Sequence, residues 1–260
     1  MKIAIGVFDG VHRGHQKVIE KAHLVLTITP HPNPDIELLT TPAEKRDLLG
    51  NLAEFKFTPR HARLTPEKFI IWLQKKYKPT EIIVGHDFHF GWQRQGNLAL
   101  LKKLGRKYKI TVTEIPEYVY QKTAVRSSTI RAYLSDGKIA EANKLLGRDY
   151  QLSGKVVRGK RLGRRLGAPT INLRLDCPQK LVPRDGVYRG EASVQNKLHT
   201  AAIFIGNNAI EAHLPDFSGD LYGQKATLFL QEYLRPIIKF KDLPALQKQI
   251  QKDIRRIKRS

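Results

Sequence analysis

Two imidazoles flank a glycine in His12-Arg13-Gly14-His15, directly after Gly6-Val7-Phe8-Asp9-Gly10. Histidine N–H groups can be cationic near neutral pH, and they suit an anion such as a phosphate. Gly6, Gly10 and Gly14 let a ligand come close to the backbone. A second cluster, Arg126-Ser127-Ser128-Thr129-Ile130-Arg131, joins three hydroxyls to two guanidinium groups ahead of a helical pattern. One hydroxyl would suffice to cap that helix, whereas the whole set can also grip phosphate oxygens. A third stretch, residues 154–172, holds Arg158, Lys160, Arg161, Arg164 and Arg165 among Gly159, Gly163 and Gly167. It reads either as a solvated basic loop or as a flap over nucleotide phosphates. It closes at Pro169-Thr170-Ile171-Asn172, whose hydroxyl and amide are hard oxygen donors fit for Mg²⁺. Glu211, with apolar neighbours in Ile210-Glu211-Ala212-His213-Leu214, is the leading general-base candidate of the C-terminal half.

The first cluster needs a strand before it and a helix after it, and the pattern supplies both. A β-branched run enters the glycine turn, and Lys17, Val18, Ile19 and Ala22 continue with helical spacing. Strand, glycine turn and helix N-terminus together make a phosphate site. Residues 24–29 read as a buried strand ending at Pro30-His31-Pro32-Asn33-Pro34. Thr41-Pro42-Ala43-Glu44 has capping-box spacing, and Thr65-Pro66-Glu67-Lys68 repeats the signature before an amphipathic helix. A strand at 81–84 runs into Gly85-His86-Asp87-Phe88-His89-Phe90-Gly91, a loop of packed aromatics or a ligand-lining loop. A helix over 97–108, a strand over 110–115 and a short helical pair ending at Gly147 follow. From about residue 148 the helical period gives way to short alternating strands at 152–157, 186–194, 199–205, 209–214 and 226–233. Glycine and proline turns between them predict a small antiparallel barrel or sandwich, closed by a helix over 243–257. Between Lys21 and Leu24 the chain is short for a parallel crossover, which leaves the opening helix little length.

The chain has 260 residues, enough for one large or two ordinary domains. No apolar run approaches a bilayer span, and the N-terminus does not read as a signal segment. The one cysteine, Cys177, forms no internal disulfide, so a reducing compartment, the cytoplasm, is expected. The net charge of +22 is spread over both halves. It is read as solubility and steering of anionic ligands, with nucleic-acid binding as the alternative from another class. Neither zinc-finger spacing nor an RNP-type motif accompanies it.

Taken together, GVFDGVHRGHQ, the Pro30–Pro32 loop, VGHDFHFG and RSSTIR, followed by GRRLGAPTIN, EAHLPDFSGDLYG and LRPIIKF, resemble the bacterial bifunctional riboflavin kinase/FMN adenylyltransferase family, also called FAD synthetase. The resemblance spans nearly the whole chain. It implies a Rossmann-like nucleotidyltransferase domain over 1–147 and a six-stranded antiparallel β-barrel riboflavin kinase domain with a C-terminal helix over 148–260. The implied chemistry is ATP-dependent phosphorylation of riboflavin to FMN in the barrel, then adenylylation of FMN to FAD in the first domain. ATP is the co-substrate and Mg²⁺ the cofactor. By this resemblance His12, His15 and Arg131 act in adenylyl transfer, while Gly6, Phe8, Asp9, Gly10, Ser127 and Ser128 hold ATP. Asp87 and Phe88 line the flavin side. In the kinase, Gly163, Arg164 and Gly167 hold ATP, Thr170 and Asn172 bind the metal, Glu211 is the base and Arg235 meets the flavin. The family has Ser at Arg126, Phe at Ala168, Ala at Ile171 and Arg at His89. Arg126 is therefore expected to add charge beside the phosphates, and Ala168 to open space near the flap. The alternatives are a kinase with a degenerate first domain and an inactive nucleic-acid-binding relative.

Overall fold

The computed structural model describes residues 1–159, 163 and 166–258. The chain divides into two compact units, Met1–Ser127 and Ser128–Ser260.

The first unit is built on the strand Lys2–Gly6 (β1), whose Ile3, Ala4 and Ile5 are buried on both faces. A strand apolar on both sides belongs inside a parallel sheet with helices above and below. β1 pairs in parallel with Leu24–Thr29 (β2) on one side and Glu81–Gly85 (β4) on the other. Leu52–Lys56 (β3) and Thr111–Ile115 (β5) complete the order β3-β2-β1-β4-β5. Alternation sends Ile3 and Ile5 into one core with Phe69, Ile70 and Leu73 of Pro66–Tyr77 (α4) and Leu101 and Leu104 of Leu98–Lys107 (α5). Ala4 faces the other core, with Val18 of Arg13–Ile19 (α1) and Leu49 of Pro42–Leu49 (α2). The short helix Pro59–Ala62 (α3) precedes α4, and a small antiparallel ribbon of Val119–Tyr120 (β6) and Thr123–Ala124 (β7) follows β5. Both threonine caps form as their spacing predicts. Thr41 accepts from the Glu44 amide while Glu44 accepts from the Thr41 amide, and Thr65 caps α4. The seven-residue α1 closes the crossover from β1 to β2, so the short segment before Leu24 suffices. The edge strand β3 goes unseen in the sequence because only Phe55 of its five residues is buried.

The second unit holds Ser127–Ser135 (α6) beyond its first residue, Ile139–Leu146 (α7), a closed barrel and Leu243–Lys258 (α8). Although the helical pattern places α6 and α7 with the α/β region, they group with the barrel. Asn143 of α7 explains part of this: its side chain donates to the Leu230 carbonyl and the Asp149 carboxylate, and accepts from the Tyr150 amide. The barrel strands are Tyr150–Val157 (β8), Thr170–Leu175 (β9), Gly186–Val194 (β10), Lys197–Gly206 (β11), Ala209–His213 (β12) and Lys225–Arg235 (β13). They close in the order β10-β11-β12-β9-β8-β13, all antiparallel. At Gly190 a side chain would meet the Phe229 carbonyl at 1.9 Å, so only glycine allows β10 and β13 to approach there. The sequence pattern gives no sign of β9, because Thr170-Ile171-Asn172 reads as the close of a loop.

Candidate active sites

In the first unit the turn after β1 lies where the sheet order reverses, with β2 on one side and β4 on the other, the usual ligand crevice of open α/β sheets. Phe8, Gly10 and Val11 all have positive φ (48°, 91° and 41°). Glycine tolerates this, but a buried phenylalanine and a β-branched valine there are strained and need support from neighbours. The Val11 amide donates to the Phe8 carbonyl, and the Gln16 amide group donates to the Val11 carbonyl. His12 is the N-cap of α1, its Nδ1 accepting from the His15 amide at 3.2 Å. Accepting at Nδ1 makes Nε2–H the donor of His12. The two imidazoles stack at 3.5 Å between centroids, and Phe8 packs edge-on against His15 at 5.4 Å.

Asp9 is buried in the turn, and its Oδ1 accepts from the amides of Leu39 (3.0 Å) and Thr40 (3.1 Å). The Thr40 hydroxyl accepts from the Gly10 amide, and Ser127 Oγ donates to the Asp9 carbonyl at 2.8 Å. Asp9 thus ties the β1 turn to segments that arrive from two other strand ends. Lys45, missed in the sequence, donates from its buried ammonium to the Val7 carbonyl at 2.8 Å. Burial lowers its pKa below the usual lysine range, and Asp9 opposes that. A side chain at Gly6 would meet the Phe8 ring at 2.9 Å, so Gly6 leaves room for that ring.

Asp87 and Phe88 follow β4, the neighbour of β1. Asp87 is exposed, and Phe88 stacks on Phe90 at 5.6 Å. Ser128 is exposed in the first turn of α6, and Arg131 lies half-buried further along that helix. Arg126 does not bring free charge to the phosphates, since it pairs with Glu117 at 2.5 Å. His89 Nδ1 lies 2.8 Å from the Asp87 carbonyl and 3.4 Å from Arg94.

The second constellation is on the barrel's outer face. β12 buries Ile210 and Ala212 and turns Glu211 and His213 the other way. Register pairs Glu211 with Asn172 and His213 with Thr170. The Thr170 hydroxyl donates to Glu211 Oε2 at 2.8 Å. Phe204, opposite Glu211 on β11, is half-buried beside it. Gly163 accepts from the Leu166 and Ala168 amides, closing a turn in which Gly167 has φ 76°. Ala168 is buried in that turn. Arg164 lies outside the described residues. Asp253 of α8 clamps the Arg235 guanidinium, with Nε–Oδ2 at 3.1 Å and a terminal nitrogen at 2.6 Å from Oδ2.

An anion-ready turn at the switch point of a parallel sheet and a hydroxyl–amide–carboxylate face on a barrel define a nucleotide-dependent transferase with two sites. Residues 1–129 match the FAD synthetase family model, and residues 146–260 match the riboflavin kinase model. The bifunctional riboflavin kinase/FMN adenylyltransferase of Buchnera aphidicola subsp. Schizaphis graminum is 34% identical, over 99% of this chain and 93% of its own. That of Escherichia coli K12 is 33% identical over 96% and 90%, and that of Listeria monocytogenes 29% over 96% and 89%. The chain belongs to the bifunctional riboflavin kinase/FMN adenylyltransferase family. A Streptococcus pneumoniae crystal structure, named as a macrolide-efflux protein, has the same fold, with TM-score 0.88 and 28% identity over 98% of this chain and 92% of that one. The efflux name is that protein's own. Among the described residues here, no helix is long and apolar enough to cross a membrane.

Proposed function

We propose that the chain converts riboflavin to FMN and FMN to FAD, consuming one ATP in each step. Adenylyl transfer belongs to residues 1–147 and phosphoryl transfer to residues 148–260. The observation that carries this reading is that each unit holds its own polar constellation, His12 and His15 in one and Thr170, Asn172 and Glu211 in the other.

In the barrel, Glu211 accepts the proton of the riboflavin hydroxyl as that oxygen attacks the γ-phosphorus of ATP, and ADP leaves. The donor set fits Mg²⁺. Thr170 donates its hydroxyl proton to Glu211, which leaves its oxygen lone pairs to accept an ion, and Asn172, two residues on, has its side chain on the same strand face. Thr170 and Asn172 would hold the ion, which when bound neutralises phosphate charge. Gly163 and Gly167 contact the ATP phosphates. Arg235, held by Asp253, shapes the flavin side through α8.

In the first unit, an FMN phosphate oxygen attacks the α-phosphorus of a second ATP, and pyrophosphate leaves. His12 and His15 donate N–H bonds to the oxygens that gain charge. Ser127 binds the ATP phosphates, Gly6, Phe8 and Gly10 shape the pocket, Asp9 holds its turn in place, and Asp87 and Phe88 lie on the flavin side. Positioning and charge neutralisation do the rest, since no covalent enzyme intermediate is required. A cytoplasmic setting fits a chain with one cysteine. The test is incubation with riboflavin and Mg·ATP followed by chromatography. FMN and FAD are both expected, and FMN without FAD would remove the adenylyltransferase half.

A further inference from the structure

His213 stands beside the barrel site without a part in the chemistry above. It lies two residues beyond Glu211 on the same face of β12, opposite Thr170 in the final pair of a three-pair ladder. A strand end paired so briefly frays readily, and Thr170 is the residue at that end. His213 Nδ1 is 2.8 Å from the Pro169 carbonyl. A carbonyl oxygen only accepts, so Nδ1 carries the proton in this bond. Pro169 immediately precedes β9, at the foot of the turn closed on Gly163. On the other side of that turn, the Leu166 carbonyl accepts from Gln247 Nε2 of α8 at 3.4 Å. The barrel wall and the C-terminal helix therefore each grip one carbonyl of the stem that delivers Thr170 to Glu211.

We propose that His213 is a positioning residue for phosphoryl transfer: its Nδ1–H holds the Pro169 carbonyl and so keeps the Thr170 hydroxyl on Glu211, with Gln247 as a second, weaker anchor. The proposal rests on the kinase reading of this site. Misplacing a reacting constellation by about 1 Å costs on the order of a hundredfold in rate. The loss of one of two anchors is therefore set at about tenfold in kcat, with the riboflavin KM moved far less. Asparagine places its amide N–H near the position of Nδ1, whereas glutamine reaches toward that of Nε2.

The experiment compares the full chain with His213→Ala, His213→Asn, His213→Gln and Gln247→Ala. It measures FMN formation from riboflavin and Mg·ATP, FAD formation from FMN, and amide exchange over residues 166–170. The expected result is a roughly tenfold lower kcat for FMN in His213→Ala and His213→Gln, with recovery in His213→Asn. FAD formation should be unchanged and exchange over 166–170 faster. Gln247→Ala should show a smaller effect in the same direction and stands in if His213→Ala fails to fold. Wild-type FMN formation matched within twofold by His213→Ala, or no recovery in His213→Asn, would overturn the positioning role alone. A wild-type chain that makes no FMN would overturn the kinase reading and this role with it.

Discussion

Replacing Asp9 by alanine should loosen the first unit more than an ordinary substitution does, because the carboxylate joins segments distant in sequence. Leu39 and Thr40, the residues whose amides it accepts from, are 1% and 2% exposed, so water cannot replace the lost acceptor. An unsatisfied buried N–H costs about 1–3 kcal/mol, so two of them come to about 4 kcal/mol. That is a large fraction of the roughly 5–15 kcal/mol that stabilises a domain. Both tryptophans, Trp72 and Trp92, lie in the first unit, so their fluorescence in urea follows this unit alone. With a urea slope of about 2 kcal/mol per molar, the midpoint should fall by about 2 M at unchanged slope. Asp9→Asn retains the oxygen that both amides reach and should lose about half as much. FAD formation should decline with the unfolding of this unit while FMN formation continues. A midpoint shift below about 0.5 M for Asp9→Ala would refute the claim that this carboxylate holds the turn.

Asp253→Ala leaves the largely buried Arg235 guanidinium without its carboxylate and should cost the second unit about 3 kcal/mol, seen as faster amide exchange in α8. Pairing it with Arg235→Met should recover much of the loss, and unchanged exchange in the single variant would contradict the clamp. Glu81 has its pKa lowered chiefly by the hydrogen bond from Thr113 and next by that from Lys2. A depressed carboxylate stabilises above its unfolded value of 4.5, and this contribution is lost as pH falls through the folded value. Glu81→Gln should therefore flatten the acid limb of first-unit stability, and an acid limb identical to that of wild type would contradict this.

Much of the fold was legible because local signals agreed with long-range packing. β2 is bounded by His23 and the Pro-rich loop, and it begins and ends where its apolar run does. β10 does the same between its glycine and a turn. What stayed hidden depends on partners far along the chain. Nothing near Asp9 announces that Leu39 and Thr40, some thirty residues on, take its carboxylate. Lys45 reads as a surface helix residue until α2 folds it under the turn. Nothing near Arg235 announces that Asp253, eighteen residues on, clamps its guanidinium from α8. His213 had one available signal, its spacing of two from Glu211 on a strand, which places both side chains on one face.

Two chemistries on one chain require two separable sites. The most direct measurement gives riboflavin and Mg·ATP to His15→Ala and Glu211→Gln, each shown to be folded, and follows FMN and FAD over time. FMN without FAD is expected from His15→Ala. Glu211→Gln should make little FMN from riboflavin yet convert supplied FMN to FAD. Loss of both products in folded His15→Ala, or undiminished FMN from Glu211→Gln, would contradict that separation.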